Sequence, residues 1–298
     1  MSLADRNQSA QPVSFDPNSF PVEDAKTLIR LALAEDVGSG DVTSLWTIPA
    51  DQTQTATLIA KQDGVIAGLA ILALVFAEMG ADVQIRLLVQ DGDLVIRGDK
   101  IAELTGTTQA LLTGERTLLN FLQQLSGVAT VARTYADALA AGKTQVLDTR
   151  KTLPGFRRLQ KYAVRAGGGH NHRMGLHDMV LVKDNHIAAC GGVLPALEVV
   201  KRNNTRNLKV EMEVESLDEL SSLLHQGVDV IMLDNMDNET MIEAVSIVRE
   251  SGDPVKLEAS GNMDLARLRS IALIGVDYVS VGALTHSVKA LDISMRIL

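Results

Sequence analysis

The stretch 209-KVEMEVESLDELSSLLHQGVDVIMLDN-235 holds two short β-rich runs, Lys209–Val214 and Val228–Leu233, on either side of Leu217–His225, where apolar residues recur at helical spacing. A strand, a helix and a second strand in that order predict a parallel crossover unit. The same rhythm extends both ways. Upstream stand Val146–Thr149, Met179–Val182 and the helical segment Leu194–Arg202; downstream stand Glu239–Arg249, Val255–Ala259, Asp264–Ile271 and Tyr278–Val281. Six strands, mostly separated by helices, predict a parallel sheet. No GxGxxG follows the first of them, so a dinucleotide-binding open sheet is disfavoured and an incomplete β/α barrel is expected over residues 116–287.

Before residue 115 the rhythm is different. A helix around Val22–Ala34 precedes strands Thr55–Lys61 and Val65–Ala70 about a Gln62-Asp63-Gly64 turn, then an apolar helix to Met79 and strands Val83–Val89 and Leu94–Thr105. Asp91-Gly92 and Gly98-Asp99 are turn chemistry, so residues 13–115 read as an N-terminal α+β sheet domain. Glu115–Ala141 reads as a helix with apolar positions Leu118, Leu119, Leu122, Leu125, Val128 and Val131, and Gly127 is a candidate kink. The expected class is α/β, a small sheet domain followed by a barrel of parallel strands.

Composition bounds the function. With 298 residues and 46% hydrophobic content the chain can bury a large core, and a net charge of -9 argues against nucleic acid as a partner. Cys190 is the single cysteine, which leaves no disulfide framework or thiolate cluster and fits a cytoplasmic setting. The longest apolar run, Leu69–Ala77, is too short to cross a membrane, and Met1–Pro12 is a polar arm without the features of a secretory signal.

Polar residues gather where barrel chemistry is expected, at the carboxyl ends of the strands. Thr149, Arg150 and Lys151 follow the first strand, Lys183 and Asp184 the second, and Asp234 and Asn235 end the fourth. Glu211, Glu213 and Glu215 share one face of the third by period-two alternation. Ser260, Gly261 and Asn262 after the fifth strand, and Gly282 after the sixth, stand just before helices, where free backbone N–H groups favour phosphate. Between Lys143 and Lys183, nine Lys or Arg face only Asp148 and Asp178 in an otherwise acidic chain, a concentration that asks for an anion. Arg157, Arg158, Lys161 and Arg165 read as a solvated helix face. Arg150, Lys151, Arg173 and Lys183 stand at strand ends or in the glycine-rich stretch Gly167–Arg173, and an arginine fork grips a carboxylate in a bidentate way. Four histidines lie near, at 170, 172, 177 and 186; without a His-Glu-x-x-His motif or cysteine partners, and among so many cations, a zinc site is disfavoured, and His172 is read as an anion or ring contact.

Asp148-Thr149-Arg150-Lys151-Thr152 with Pro154-Gly155, Lys161–Val164, Gly167–Leu176 and Lys183-Asp184-Asn185-His186 together resemble the quinolinate phosphoribosyltransferase family. The resemblance extends to Glu35–Thr43, Glu115–Asn120, Leu233–Asn235, Glu258–Asn262 and Val281–His286, nearly the whole chain. It implies a homodimer with a site shared between subunits and a C-terminal tail, 288–298, that returns to the N-terminal domain. It further implies that Arg150, His172, Arg173 and Lys183, with Arg116 of the second subunit, hold the carboxylates and ring of quinolinate, and that Thr149 and Lys151 lie between acceptor and donor. Glu213 and Asp234 would bind the ribose hydroxyls of phosphoribosyl pyrophosphate through Mg2+, no residue being assigned as a direct ligand of the ion. Lys151, Glu213 and Asp234 are thereby the catalytic set. Ser260, Gly261, Asn262, Val281, Gly282, Ala283 and His286 would cradle phosphate. Spacing alone does not choose Glu213 over Glu211; the resemblance does.

The implied reaction joins quinolinate to the phosphoribosyl group and expels pyrophosphate and CO2. Alternatives are a related phosphoribosyltransferase with another acceptor such as nicotinate, a sugar-phosphate barrel aldolase using Lys183, and an anion-sensing module without turnover.

Overall fold

A computed structural model describes residue 16 and residues 19–297; the arm Met1–Pro12 lies outside them. Among the described residues twelve strands run in the order β1 (Thr53–Ala60), β2 (Gly64–Val65), β3 (Val83–Leu87), β4 (Leu94–Val95), β5 (Lys100–Thr107), β6 (Gln145–Leu147), β7 (Val180–Val182), β8 (Val210–Val214), β9 (Val230–Asp234), β10 (Lys256–Ser260), β11 (Tyr278–Ser280) and β12 (Ile293–Ile297). They belong to two units. One comprises the chain up to Arg133, Thr152–Gly169 and the segment from Ala283; the other comprises Thr134–Lys151 and His170–Gly282.

In the first unit, β12-β1-β5-β3 form an antiparallel sheet, and β2 pairs with β4. The strand expected over Val65–Ala70 is only two residues long because hydroxyls take over its backbone donors. The N–H of Val65 donates to Thr130 Oγ1 at 2.9 Å and that of Ala67 to Ser126 Oγ at 3.1 Å. The strand expected over Leu94–Thr105 is interrupted at Ile96–Asp99, where the N–H of Ile96 donates to the Asp99 carboxylate and Gly98 has φ +98°. A helix over Val42–Thr47 was not expected; Asp41 caps it by accepting from the Ser44 hydroxyl at 2.5 Å and the Ser44 N–H at 3.0 Å, and these hydrogen bonds, the hydroxyl's first, hold the Asp41 carboxyl below the usual range.

The long helix spans Thr108–Ala138, beginning seven residues before its expected start. Gly127 does not break it. A Cβ at this position would collide with the Lys289 carbonyl oxygen, so the glycine admits a crossing backbone. Gly127→Ala is expected to destabilise the protein by about 1–3 kcal/mol, read as a lowered Tm; an unchanged Tm would show that the crossing segment yields freely.

In the second unit all six strands are parallel, in the order β6-β11-β10-β9-β8-β7. Spatial neighbours are neighbours in sequence except that β6 pairs with β11, so that β6 and β7, consecutive in the chain, are the two edges. This is the strand order of a β/α barrel with one open seam, as the rhythm of the sequence predicts. His170 bridges in parallel to Leu147 on the β6 edge. The helices following β8, β9 and β10 are capped by Ser216, Asp237 and Asp264, each side chain accepting a backbone N–H three residues on. Met212, Val214, Ile231, Leu233, Leu257, Ala259 and Val279 form one buried apolar face of the parallel sheet, opposite the face that carries Glu211, Glu213 and Glu258.

Candidate active site

Strands buried on both faces ordinarily carry unbroken aliphatic runs. β8 departs from this: all five residues are buried, and Glu211 and Glu213 alternate with Val210, Met212 and Val214. Period-two geometry puts both carboxylates on one face. Glu215 lies past the strand end and is exposed, so the expected row of three acids is a pair. A third buried acid, Glu258, comes from β10.

His172 joins the acids. Its Nε2 stands 3.0 Å from Oε2 of Glu211 and 3.5 Å from Oε2 of Glu258. The residue is delivered there by Asp148, fully buried just after β6, which accepts from Asn171 Nδ2 at 2.6 Å and from the His172 backbone N–H at 3.0 Å. The backbone N–H of Arg173 donates to His172 Nδ1 at 2.7 Å.

Cations stand beside this acid group. Burial and the like charge of Arg150 hold the Arg173 guanidinium below its ordinary pKa, while Glu211 and Asp178 act in the opposite sense. Two arginines within electrostatic reach of each other describe a place for an anion. Lys183 Nζ forms a 2.5 Å ion pair with Glu213 Oε2, and Glu213 Oε1 accepts from the Asp184 N–H at 3.3 Å. Lys183, expected on the acceptor, and Glu213, expected on the ribose, are therefore partners in this structure. Thr149 Oγ1 accepts from the Lys151 N–H at 3.1 Å, and the Lys151 side chain is exposed.

Asp234 ends β9 and accepts from Asn235 Nδ2 at 2.7 Å. Asn235 and Asn262 both adopt left-handed backbone, φ 53° and 46°. Gly261 has φ +98°, and a Cβ there would strike the Asn235 side chain. Arg267 ties these loops together, donating to the carbonyls of Gly261 at 2.9 Å and Met236 at 2.6 Å. Ser260 accepts the Asn235 N–H at 3.0 Å through its carbonyl. The Val281 N–H, expected at phosphate, donates to the Leu147 carbonyl at 2.9 Å, and Gly282 follows it. Arg116, exposed on the long helix, Ala283 and His286 belong to the first unit; His286 Nδ1 lies 2.6 Å from Ser287 Oγ.

Burial pushes Glu211 up to about 8, with Glu213 adding to the rise and Arg173 and Lys183 opposing it. Burial and the neighbouring Glu211 push Glu258 up to about 8 as well, against His172 and Ser280. The native state thus keeps protons that the unfolded chain releases above the ordinary 4.5. Stability is expected to fall as pH rises from that value to about 8. Glu258→Gln should flatten the decline of Tm across this window; a slope equal to that of the parent would contradict it.

The nearest approach to a metal-binding set among the described residues is His172, Glu211 and Glu258, whose donor atoms lie within 4.8 Å of one another. A cation there would need a bare Nε2 and hence a proton on Nδ1, where the Arg173 N–H already donates. Arg173 and Lys183 also bring positive charge to Glu211. The set suits a proton better than a metal. Of the other clustered histidines, His186 accepts the Lys183 N–H at 3.0 Å through Nδ1, and burial lowers the pKa of His170.

Sequence reasoning placed Glu211 on an acidic strand face, Asn235 at a strand end, and Asp148 and Glu258 within the shared motifs, but gave none of them a role, and it did not single out Arg267. A signal existed for the glutamates, since a charge inside a buried parallel strand is anomalous. Arg267 had none, because a polar residue in a helix is ordinary.

Fold and site together define an enzyme of the β/α barrel class, with cations, carboxylates and phosphate-type loops at the carboxyl ends of parallel strands. Residues 41–126 match the N-terminal domain of quinolinate phosphoribosyl transferase and residues 128–296 match its C-terminal domain. The chain is 43% identical to the probable nicotinate-nucleotide pyrophosphorylase [carboxylating] of Bacillus subtilis, over 91% of this chain and 93% of that one. It is 42% identical to the mitochondrial quinolinate phosphoribosyltransferase [decarboxylating] 2b of Nicotiana tabacum, over 99% and 88% of the two chains. The nicotinate-nucleotide pyrophosphorylase structure from Francisella tularensis superposes with a TM-score of 0.87 at 40% identity, covering 97% of this chain and all of that one. The chain belongs to the quinolinate phosphoribosyl transferase family.

Proposed function

We propose that the protein transfers the 5-phosphoribosyl group from phosphoribosyl pyrophosphate to quinolinate with decarboxylation, giving nicotinate mononucleotide, pyrophosphate and CO2, a step of NAD biosynthesis. The observation that carries this reading is the set of cations at the carboxyl ends of the barrel strands beside the buried acids of β8, with Lys183 2.5 Å from Glu213 and Arg150 and Arg173 close enough to feel each other's charge. Both substrates are polyanions, and clustered cations offset their mutual repulsion.

In this reading Arg150, Arg173 and Lys183 hold the two acceptor carboxylates, His172 meets the ring, and Arg116 comes from the second subunit of a homodimer. Glu213 and Asp234 face the anomeric carbon and ribose hydroxyls, Thr149 and Lys151 lie between the substrates, and Ser260 to Asn262 with Val281 to Ala283 and His286 line the phosphates. The pyridine nitrogen attacks with its own lone pair as the bond to pyrophosphate breaks. Glu213 and Asp234 stabilise the positive charge that develops on the ribose. Mg2+ bound with the donor supplies charge for the departing pyrophosphate. Loss of CO2 then leaves an electron pair on the ring carbon beside the alkylated, cationic nitrogen, which stabilises it until it takes up a proton from solvent to give the product, so no separate electron sink is required.

An aldolase is less compatible, because a Schiff-base lysine must lose its proton, whereas Lys183 is paired with Glu213 at 2.5 Å. Quinolinate, phosphoribosyl pyrophosphate and Mg2+ should yield labelled CO2 and nicotinate mononucleotide together; nicotinate serving equally well would refute the dicarboxylate preference. Mixing Arg116→Ala with Lys183→Ala protein should restore activity lost in each, because one site of the mixed dimer receives both intact residues. Failure after verified subunit exchange would remove Arg116 from a shared site. Among the described residues no helix is long and apolar enough to cross a membrane. A cytoplasmic enzyme is the reading adopted, although the Nicotiana relative is named mitochondrial.

A further inference from the structure

The acids around His172 have no role in the reaction as written. Glu211 and Glu258 are each 1% exposed, and Oε1 of each has no hydrogen-bond partner among the described residues. Their other oxygens converge on one atom, His172 Nε2. Such burial is costly unless the contact it makes matters.

Hydrogen-bond directions determine the state of the ring. The Arg173 N–H points at Nδ1 across 2.7 Å, so Nδ1 is an acceptor and carries no hydrogen. An imidazolium would set two hydrogens against each other there. The ring hydrogen therefore lies on Nε2 and is shared with Glu211 at 3.0 Å and, more weakly, with Glu258 at 3.5 Å. We infer that Glu211 and Glu258 are positioning residues that lock His172 as the neutral Nε2–H tautomer with both nitrogens engaged within the protein, so that His172 meets the acceptor by its ring face or carbon edge and not as an anion ligand. Recognition of the acceptor carboxylates then falls to Arg150, Arg173 and Lys183. The inference rests on the acceptor-site reading for its meaning, but the tautomer is a property of the protein alone.

Two measurements test it. In protein carrying 15N-histidine, long-range proton–nitrogen correlation should show His172, identified by its loss in His172→Gln, with an acceptor-type Nδ1 and a donor-type Nε2 near neutral pH, and quinolinate at saturation should not change the pattern. An imidazolium, or hydrogen on Nδ1, overturns the inference. Glu211→Leu should raise KM for quinolinate by about ten-fold with donor KM and kcat little altered, and Glu211→Gln, which keeps an oxygen at this point, should recover most of the affinity. Equal behaviour of the two variants, or a loss confined to kcat, also overturns it. If Glu211→Leu does not fold, the spectrum of the parent protein decides. A parent that does not turn over quinolinate would refute the functional reading while leaving the tautomer measurable.

Discussion

Glu213→Gln is expected to lower kcat by about 100-fold while changing substrate affinities by far less. Glu213 is 4% exposed, so its charge acts in a water-poor setting where it is poorly screened. The carboxylate faces two demands. In this structure it is paired with Lys183 at 2.5 Å, and in the proposed reaction it would stabilise the cation that grows on the ribose. Glutamine keeps the shape and an oxygen acceptor for Lys183 but removes the charge, so ground-state contacts survive and the interaction confined to the transition state is lost. Steady-state kinetics with both substrates varied decides the point. A variant with parental kcat would take Glu213 out of the chemistry, and one with a large rise in Kd but normal kcat would make it a binding residue only.

Arg173 should show the second large effect. Arg173→Ala is expected to weaken quinolinate binding by about 100-fold and Arg173→Lys by about 10-fold, with donor affinity nearly unchanged. The guanidinium is partly buried, and burial together with the like charge of Arg150 disfavours its charged form, a cost that a dianion bound as proposed would offset. Lysine restores the charge but not the planar fork, so the difference between the two variants measures the bidentate component. Calorimetric titration with quinolinate gives both numbers. Parental affinity in Arg173→Lys would mean that charge alone suffices, and parental affinity in Arg173→Ala would place the acceptor elsewhere.

Much of the site was legible because barrel topology converts sequence position into spatial position. Arg150, Lys183, Asp234 and Ser260 each end or follow a strand, and the strand count and order put them on one rim. What stayed hidden depended on contacts between strands that are distant in sequence. Glu211 and Glu258 are separated by β9, and neither spacing nor composition reveals that their carboxyls meet across it on a histidine delivered by Asp148. The pairing of Lys183 was hidden for the same reason, since its partner Glu213 lies on the next strand. In the sheet domain, the strand expected at Val65–Ala70 was shortened by Ser126 and Thr130, whose hydroxyls reach its donors from a helix some sixty residues further along the chain.

By itself the sequence determined the parallel architecture and the concentration of cations and acids at the strand ends, because periodicity, turn chemistry and charge concentration are local properties. Only the tertiary structure decided how those charges are paired and which nitrogen of His172 carries hydrogen. Pairing depends on distances of a few ångströms between side chains from different strands, and burial determines what each such distance costs.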